Sequence, residues 1–194
     1  MNRLLRIADW MFACTARWWI ISLYLFAFII TNVLIMGGVS RFEQVANGQP
    51  LLEDPRSYAT AGIDLYDIAR QYPPEAAQIY KTEIQPLDII FPLSAGLFFG
   101  TLLYKLVLII KPNTRWRILG LLGTGLTLSD YCENIGVFTI LRTIDTPLPA
   151  VMTAVRVASL LKMLVGFGAI SCILGALVWI LVRWLSGGRQ QRMR

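Results

Sequence analysis

Two carboxylates and a carboxamide interrupt an apolar run at Thr127-Leu128-Ser129-Asp130-Tyr131-Cys132-Glu133-Asn134-Ile135. Groups of this kind can grip a polar head group, exchange a proton or neutralise a buried cation. On a helix Asp130, Glu133 and Asn134 stand at i, i+3 and i+4 and share one face, with Thr127 one turn earlier. Tyr131 and Cys132 fall away from that face and read as packing residues. An ionisable side chain inside a membrane-length apolar stretch is costly unless it meets a partner or water, so the acidic face is expected to look inward.

Candidate partners stand on two other stretches. Arg156, Ser159 and Lys162 recur at i, i+3 and i+6 in the last apolar run, and Asp88 lies near the start of the second. The candidate ligand-binding or buried polar cluster is therefore Asp88, Asp130, Glu133, Asn134, Arg156, Ser159 and Lys162. Its three acids and two bases leave one negative charge in excess if all ionise. No nucleophile–base pair and no metal-ligand spacing accompanies them. The chain has no histidine, the commonest haem and zinc ligand, so no cofactor and no metal is expected. The competing reading is that these charges are structural ion pairs that fix helix register.

The elements that must position these groups are long apolar helices. Hydrophobic residues make up 56% of the 194-residue chain and charged residues 15%, which excludes an ordinary soluble globule. Four runs, at roughly 19–36, 87–110, 118–141 and 150–182, approach or exceed the 20 or so residues that a helix needs to cross a bilayer. The fold expected is an all-α, four-transmembrane-helix bundle forming a single domain over 1–194, with a partly helical outer loop at 37–86. The last run continues to Trp184, longer than a perpendicular crossing requires, so tilt or protrusion is expected.

Charge is distributed by topology. Residues 1–17, the 111–117 connection and the tail from Arg183 are basic, whereas the 37–86 loop is acidic and 142–149 is neutral. That alternation predicts a multi-pass membrane protein with both termini cytoplasmic. The net charge of +6 then points to anionic lipid head groups as partner and not to nucleic acid. Cys14, Cys132 and Cys172 share no close spacing, which argues against a disulfide framework or CxxC redox chemistry.

Local signals refine the elements. Residues 3–17 mix arginines with bulky apolar side chains and suit an interfacial helix, with Trp10, Trp18 and Trp19 at head-group depth. No small-x-small cleavage site precedes Gly37-Gly38, so a retained first span is expected in place of a signal peptide. The loop reads as irregular up to Pro55 and helical from Tyr58, with Leu65, Ile68, Ala69 and Tyr72 on one stripe. Pro73-Pro74 ends that helix and starts another carrying Ala76, Ile79, Tyr80 and Ile84 on one face. Pro86 suits the first turn of the second span, with Asp88 favourably placed behind it, and Pro92 is expected to kink that helix. Gly96 and Gly100 have the spacing of close helix contact, and Lys105 is expected to snorkel to the cytoplasm.

Depth connects the charges. At 1.5 Å per residue, Asp130 and Glu133 lie roughly 16 and 12 Å before Leu141, and Arg156 and Lys162 roughly 9 and 18 Å beyond Ala150. A ladder pairing Glu133 with Arg156 and Asp130 with Lys162 follows.

Tyr80…Asp88-Ile-Ile-Phe91-Pro92, then Asp130-Tyr-Cys-Glu133-Asn134, then Pro149 and Lys162 resembles an uncharacterised family of small bacterial four-span membrane proteins. The likeness covers roughly 62–165, and Asp-x-x-Glu-Asn in span three with Lys in span four is its most specific part. It implies fold, topology and a place in a bacterial inner (plasma) membrane, but no activity. The function expected is binding of a membrane lipid or other amphipathic ligand in a polar site among spans two to four. The alternatives are a membrane enzyme acting on a lipid or isoprenoid, with Glu133 or Asp130 as acid/base, and a structural subunit with a membrane-protein partner.

Overall fold

A computed structural model describes residues 3–54, 64–112 and 114–191, with side chains to 186. The described residues are helical, without a strand. Helix α1 covers Arg3–Phe12 and α2 Trp18–Val45; two short helices follow, α3 at Leu65–Arg70 and α4 at Pro74–Ile79. A π-helical turn, Tyr80–Ile84, joins α4 to α5 at Gln85–Ile110. A 3₁₀ turn at Arg115–Gly120 leads into α6, Leu121–Arg142, and α7 runs from Pro149 to Gln191. Three helical stretches are long and apolar enough to cross a membrane: Trp18–Val45, Pro74–Ile110 and Pro149–Ser186. Helix α6 has the length, at 22 residues, but its Thr, Ser, Asp, Glu and Asn content sets it apart from those three.

Several boundaries differ from the sequence reading. Helix α2 does not break at Gly37-Gly38 but continues to Val45, so the loop starts nine residues later than expected. Gly38 is where the Tyr80–Ile84 turn packs closest: a Cβ there would stand 3.1 Å from Ile84 Cγ1. The helix ends instead at an Asn-Gly turn, with φ of 52° at Asn47 and 79° at Gly48, a conformation that asparagine and glycine tolerate best. Pro86 stands in the first turn of α5 with Asp88 behind it, as expected, but α4 and the π turn run into that turn without a break from Pro74, so its N-terminus is not free. Pro86 has no N–H to offer the carbonyl one turn back and its ring crowds that carbonyl, and the turn before it opens to the wider π geometry. The expected helical start at Tyr58 lies outside the described residues.

The loop forms its own apolar cluster over one end of the bundle. The stripe Leu65, Ile68, Ala69 and Tyr72 is buried, as are Ala76, Tyr80 and Ile84, whereas Ile79 is only half-buried. Phe42 at the end of α2 stacks edge-on to Tyr72 and Tyr80, with centroids 5.1 and 5.7 Å away. Asp64 caps α3 through the Tyr66 amide at 2.8 Å. Tyr66 then reaches the 143–148 connection, accepting from the Leu148 amide at 3.0 Å, and Arg70 donates to the Ile144 carbonyl at 3.1 Å. Short helices are marginal alone, so this docking is what holds them.

The bundle itself is tied by close contacts along α5, α6 and α7. Gly96, Gly100 and Gly123 bring α5 and α6 backbone to backbone: a Cβ on Gly123 would lie 2.2 Å from the Gly96 carbonyl oxygen. Gly136 of α6 instead leaves room for the Val155 side chain of α7. At the opposite end Lys105 lies over the Trp18 ring, 5.8 Å from its centroid.

Candidate functional site

The register set by Gly136 against Val155 places Ser159, one turn further along α7, opposite Glu133, and Lys162 opposite both Glu133 and Asp130. Glu133 is completely buried and Asp130 is 6% exposed. The Lys162 ammonium contacts Glu133 Oε2 and lies 3.4 Å from Asp130 Oδ1. The Ser159 hydroxyl donates to Glu133 Oε1. Lys162 is thus an ion-pair partner of Glu133 that the expected ladder did not give it. The reason is geometric. The 143–148 connection sets how α7 enters, and it brings Ser159 to Glu133's level, leaving half-buried Arg156 one turn nearer the connection. The Asp130–Lys162 rung is present.

Pro92 organises the other side of the site. It has no N–H, so the Asp88 carbonyl loses its normal helical partner, and the ring disturbs the ladder around it. Helix α6 supplies the missing donors. Asn134 Nδ2 donates to the Asp88 carbonyl at 2.7 Å, the Tyr131 hydroxyl to the Ile89 carbonyl at 2.8 Å, and the Thr127 hydroxyl to the Pro92 carbonyl at 2.9 Å. Tyr131 is therefore not a mere packing residue, contrary to its expected placement; Cys132 does face outward.

Two residues of this neighbourhood were not among those singled out from the sequence as its chemistry. Glu53, in the irregular segment after α2, receives a hydrogen bond from the Tyr80 hydroxyl. Burial is the main force on it and pushes its carboxyl up from 4.5 to about 7, the Glu133 carboxylate adding to the shift while Tyr80 and Lys162 oppose it. Asp88 is in electrostatic reach of the same group. No periodic signal marks Glu53; Tyr80 stands on an apolar face and opens the run that carries the family resemblance, neither of which points to its hydroxyl.

Glu53, Tyr80, Asp88 and Asn134 line a cleft of about 480 Å³ between the loop, α5 and α6. The rest of its wall is mostly apolar, with Pro86, Ile89, Ile135, Val137 and Phe138, but also carries Lys81, Gln85 and Tyr131; Ile89 and Ile135 are about two-thirds exposed at 64% and 67%. The cleft thus joins carboxyl, phenol and carboxamide groups at its buried end to a mostly apolar mouth with Lys81 exposed beside it, a volume and lining typical of small-molecule sites. Asp130, Glu133, Ser159 and Lys162 form the ion-paired layer behind it, not its lining. Among the described residues no three of the histidine, cysteine and carboxylate side chains converge as a metal-ligand set.

No protein-family model matches this chain, and no curated protein or solved structure matches it either.

Proposed function

We propose that this is a four-span integral membrane protein, with α2, α5, α6 and α7 crossing a bacterial plasma membrane and both termini in the cytoplasm, and that its cleft binds a lipid or other amphipathic molecule. Three of the four helices have the length and apolarity for this. The fourth, α6, turns Asp130, Glu133 and Ser129 inward while Leu128, Ile135 and Phe138 remain exposed, the arrangement a polar span requires. Alternation of basic and acidic connections supports the orientation, as does the likeness of Asp130-x-x-Glu133-Asn134 and Lys162 to small bacterial four-span proteins.

The observation that carries the binding reading is the two-ended cleft. In a bilayer its mouth, between Ile89, Ile135 and Phe138, faces acyl chains, and its inner end offers the Glu53 and Asp88 carboxyl groups. A head group bearing donors or positive charge meets acceptors there, while its tail stays among apolar side chains. Asp130, Glu133 and Lys162 hold α6 against α7 and keep that inner end in place.

Mass spectra of protein purified in mild detergent test this. Wild type should retain a lipid-like molecule that Glu53→Gln/Asp88→Asn releases and that Ile135→Trp, which fills the mouth, excludes. Identical bound species in all three proteins, with unfolding midpoints unchanged, would remove the cleft as a binding site.

A further inference from the structure

We propose that the outer face of α1, with the adjoining 111–117 connection, is a binding surface for anionic phospholipid head groups. This rests on the membrane reading but not on the cleft: Tyr104, where α1 docks, is roughly 24 Å along α5 from Asp88.

The inner face of α1 is fixed to the bundle. Leu5, Ala8 and Phe12 are buried, and the Phe12 ring fills the gap over Gly100 and Gly120, where a Cβ would stand 2.8 and 3.1 Å from it. Asp9, the only acid of the helix, also turns inward, accepting from the Tyr104 hydroxyl at 2.8 Å and pairing with Arg117 at 3.0 Å. What remains outside is therefore positive and apolar together. Arg3 and Arg6 flank a shallow groove of about 370 Å³ with Ile7 and Trp10, and Trp10 is 84% exposed. The 3₁₀ turn packed beside α1 extends the surface with exposed Arg115 and Trp116.

That combination selects the occupant. Exposed Ile7, Trp10 and Trp116 side chains suit the boundary between head groups and acyl chains, where an indole has one wet and one dry side. Guanidinium groups at the same depth meet phosphate oxygens in a bidentate, charge-assisted manner. With Asp9 already neutralised, nothing on the outer face of α1 repels an anion. The partner is a phospholipid of net negative charge, bound to a rigid surface that the Phe12 wedge and the Asp9–Arg117 pair hold ready.

The purified full chain, offered equal amounts of phosphatidylglycerol and phosphatidylcholine with matched acyl chains, should retain the anionic lipid by roughly tenfold in native mass spectra, given the attraction of each basic residue near such a surface. Arg3→Gln/Arg6→Gln should bring the ratio close to parity, and Arg3→Lys/Arg6→Lys should keep most of the preference. Glu53→Gln/Asp88→Asn should leave it unchanged, so loss of the cleft reading and loss of this one are separable. Equal retention of both lipids by wild type, or an undiminished preference in the glutamine variant, would overturn the proposal.

Discussion

The Asn134 amide donates, at 2.7 Å, to the Asp88 carbonyl oxygen that Pro92 leaves without a helical N–H. One residue's missing donor is supplied by a side chain 46 positions later, and the two helices are locked in register at the cleft. Asn134→Ala should leave a half-buried carbonyl unsatisfied and cost about 1–3 kcal/mol. Pro92→Ala restores the helical donor, so Pro92→Ala/Asn134→Ala should be far less destabilised than the sum of the single effects. A thermal-unfolding double-mutant cycle in detergent reads the coupling, and additive effects would refute it.

Lys162 serves two carboxylates, and the geometry ranks them. Lys162→Met should cost about 3–5 kcal/mol, because it leaves the acids of α6 buried opposite an apolar chain. Glu133→Gln added to it should recover more of that loss than Asp130→Asn added to it, since the ammonium contacts Glu133 and is 3.4 Å from Asp130. Equal recovery from the two double mutants would mean that the lysine is shared evenly.

What could be read beforehand, and what could not, follows from the range of each interaction. Asp130, Glu133 and Asn134 share a face because helical periodicity alone decides it, and the three longest apolar helices follow from composition. The contact of Lys162 with Glu133 as well as Asp130 is not legible in the sequence, because six residues between α6 and α7 set a phase that no periodicity encodes. Gly37-Gly38 looked like a break because glycine is a weak helix former, but Gly38 is a contact point for Ile84 in a helix held by its neighbours. Glu53 was illegible for a different reason. It lies in an aperiodic stretch and is brought over the site by the Phe42–Tyr72–Tyr80 ring cluster, buried Leu52 and the Tyr72 hydroxyl on the Pro50 carbonyl.

The helix glycines should divide sharply by what surrounds them. Gly123→Ala drives a Cβ into the Gly96 carbonyl and the Gly100 backbone, none of which can rotate away, and should cost about 1–3 kcal/mol. Gly37 meets nothing within 4 Å, so Gly37→Ala should be stabilising by roughly 0.5–1 kcal/mol through helix propensity alone. Unfolding midpoints of the two variants check the contrast. Loss of stability on both would mean that a neighbour covers Gly37.

Glu53 gives the chain a pH dependence whose sign is fixed by its surroundings. Tyr80 on the π turn, Asp88 on α5, Glu133 on α6 and Lys162 on α7 all act on it, and burial outweighs the favourable contacts. Its folded carboxyl titrates near 7 against 4.5 when free, so between those values the folded chain binds more protons than the unfolded one. Stability should accordingly be highest below pH 4.5 as far as this group is concerned, fall as pH rises from 4.5 to about 7, and level off above. Glu53→Gln removes the titration while keeping an acceptor for the Tyr80 hydroxyl, and should flatten that slope and raise the unfolding midpoint at pH 8 relative to wild type. Parallel pH profiles for the two proteins between 4.5 and 7 would show that Glu53 is ionised throughout and that the loop does not shield it.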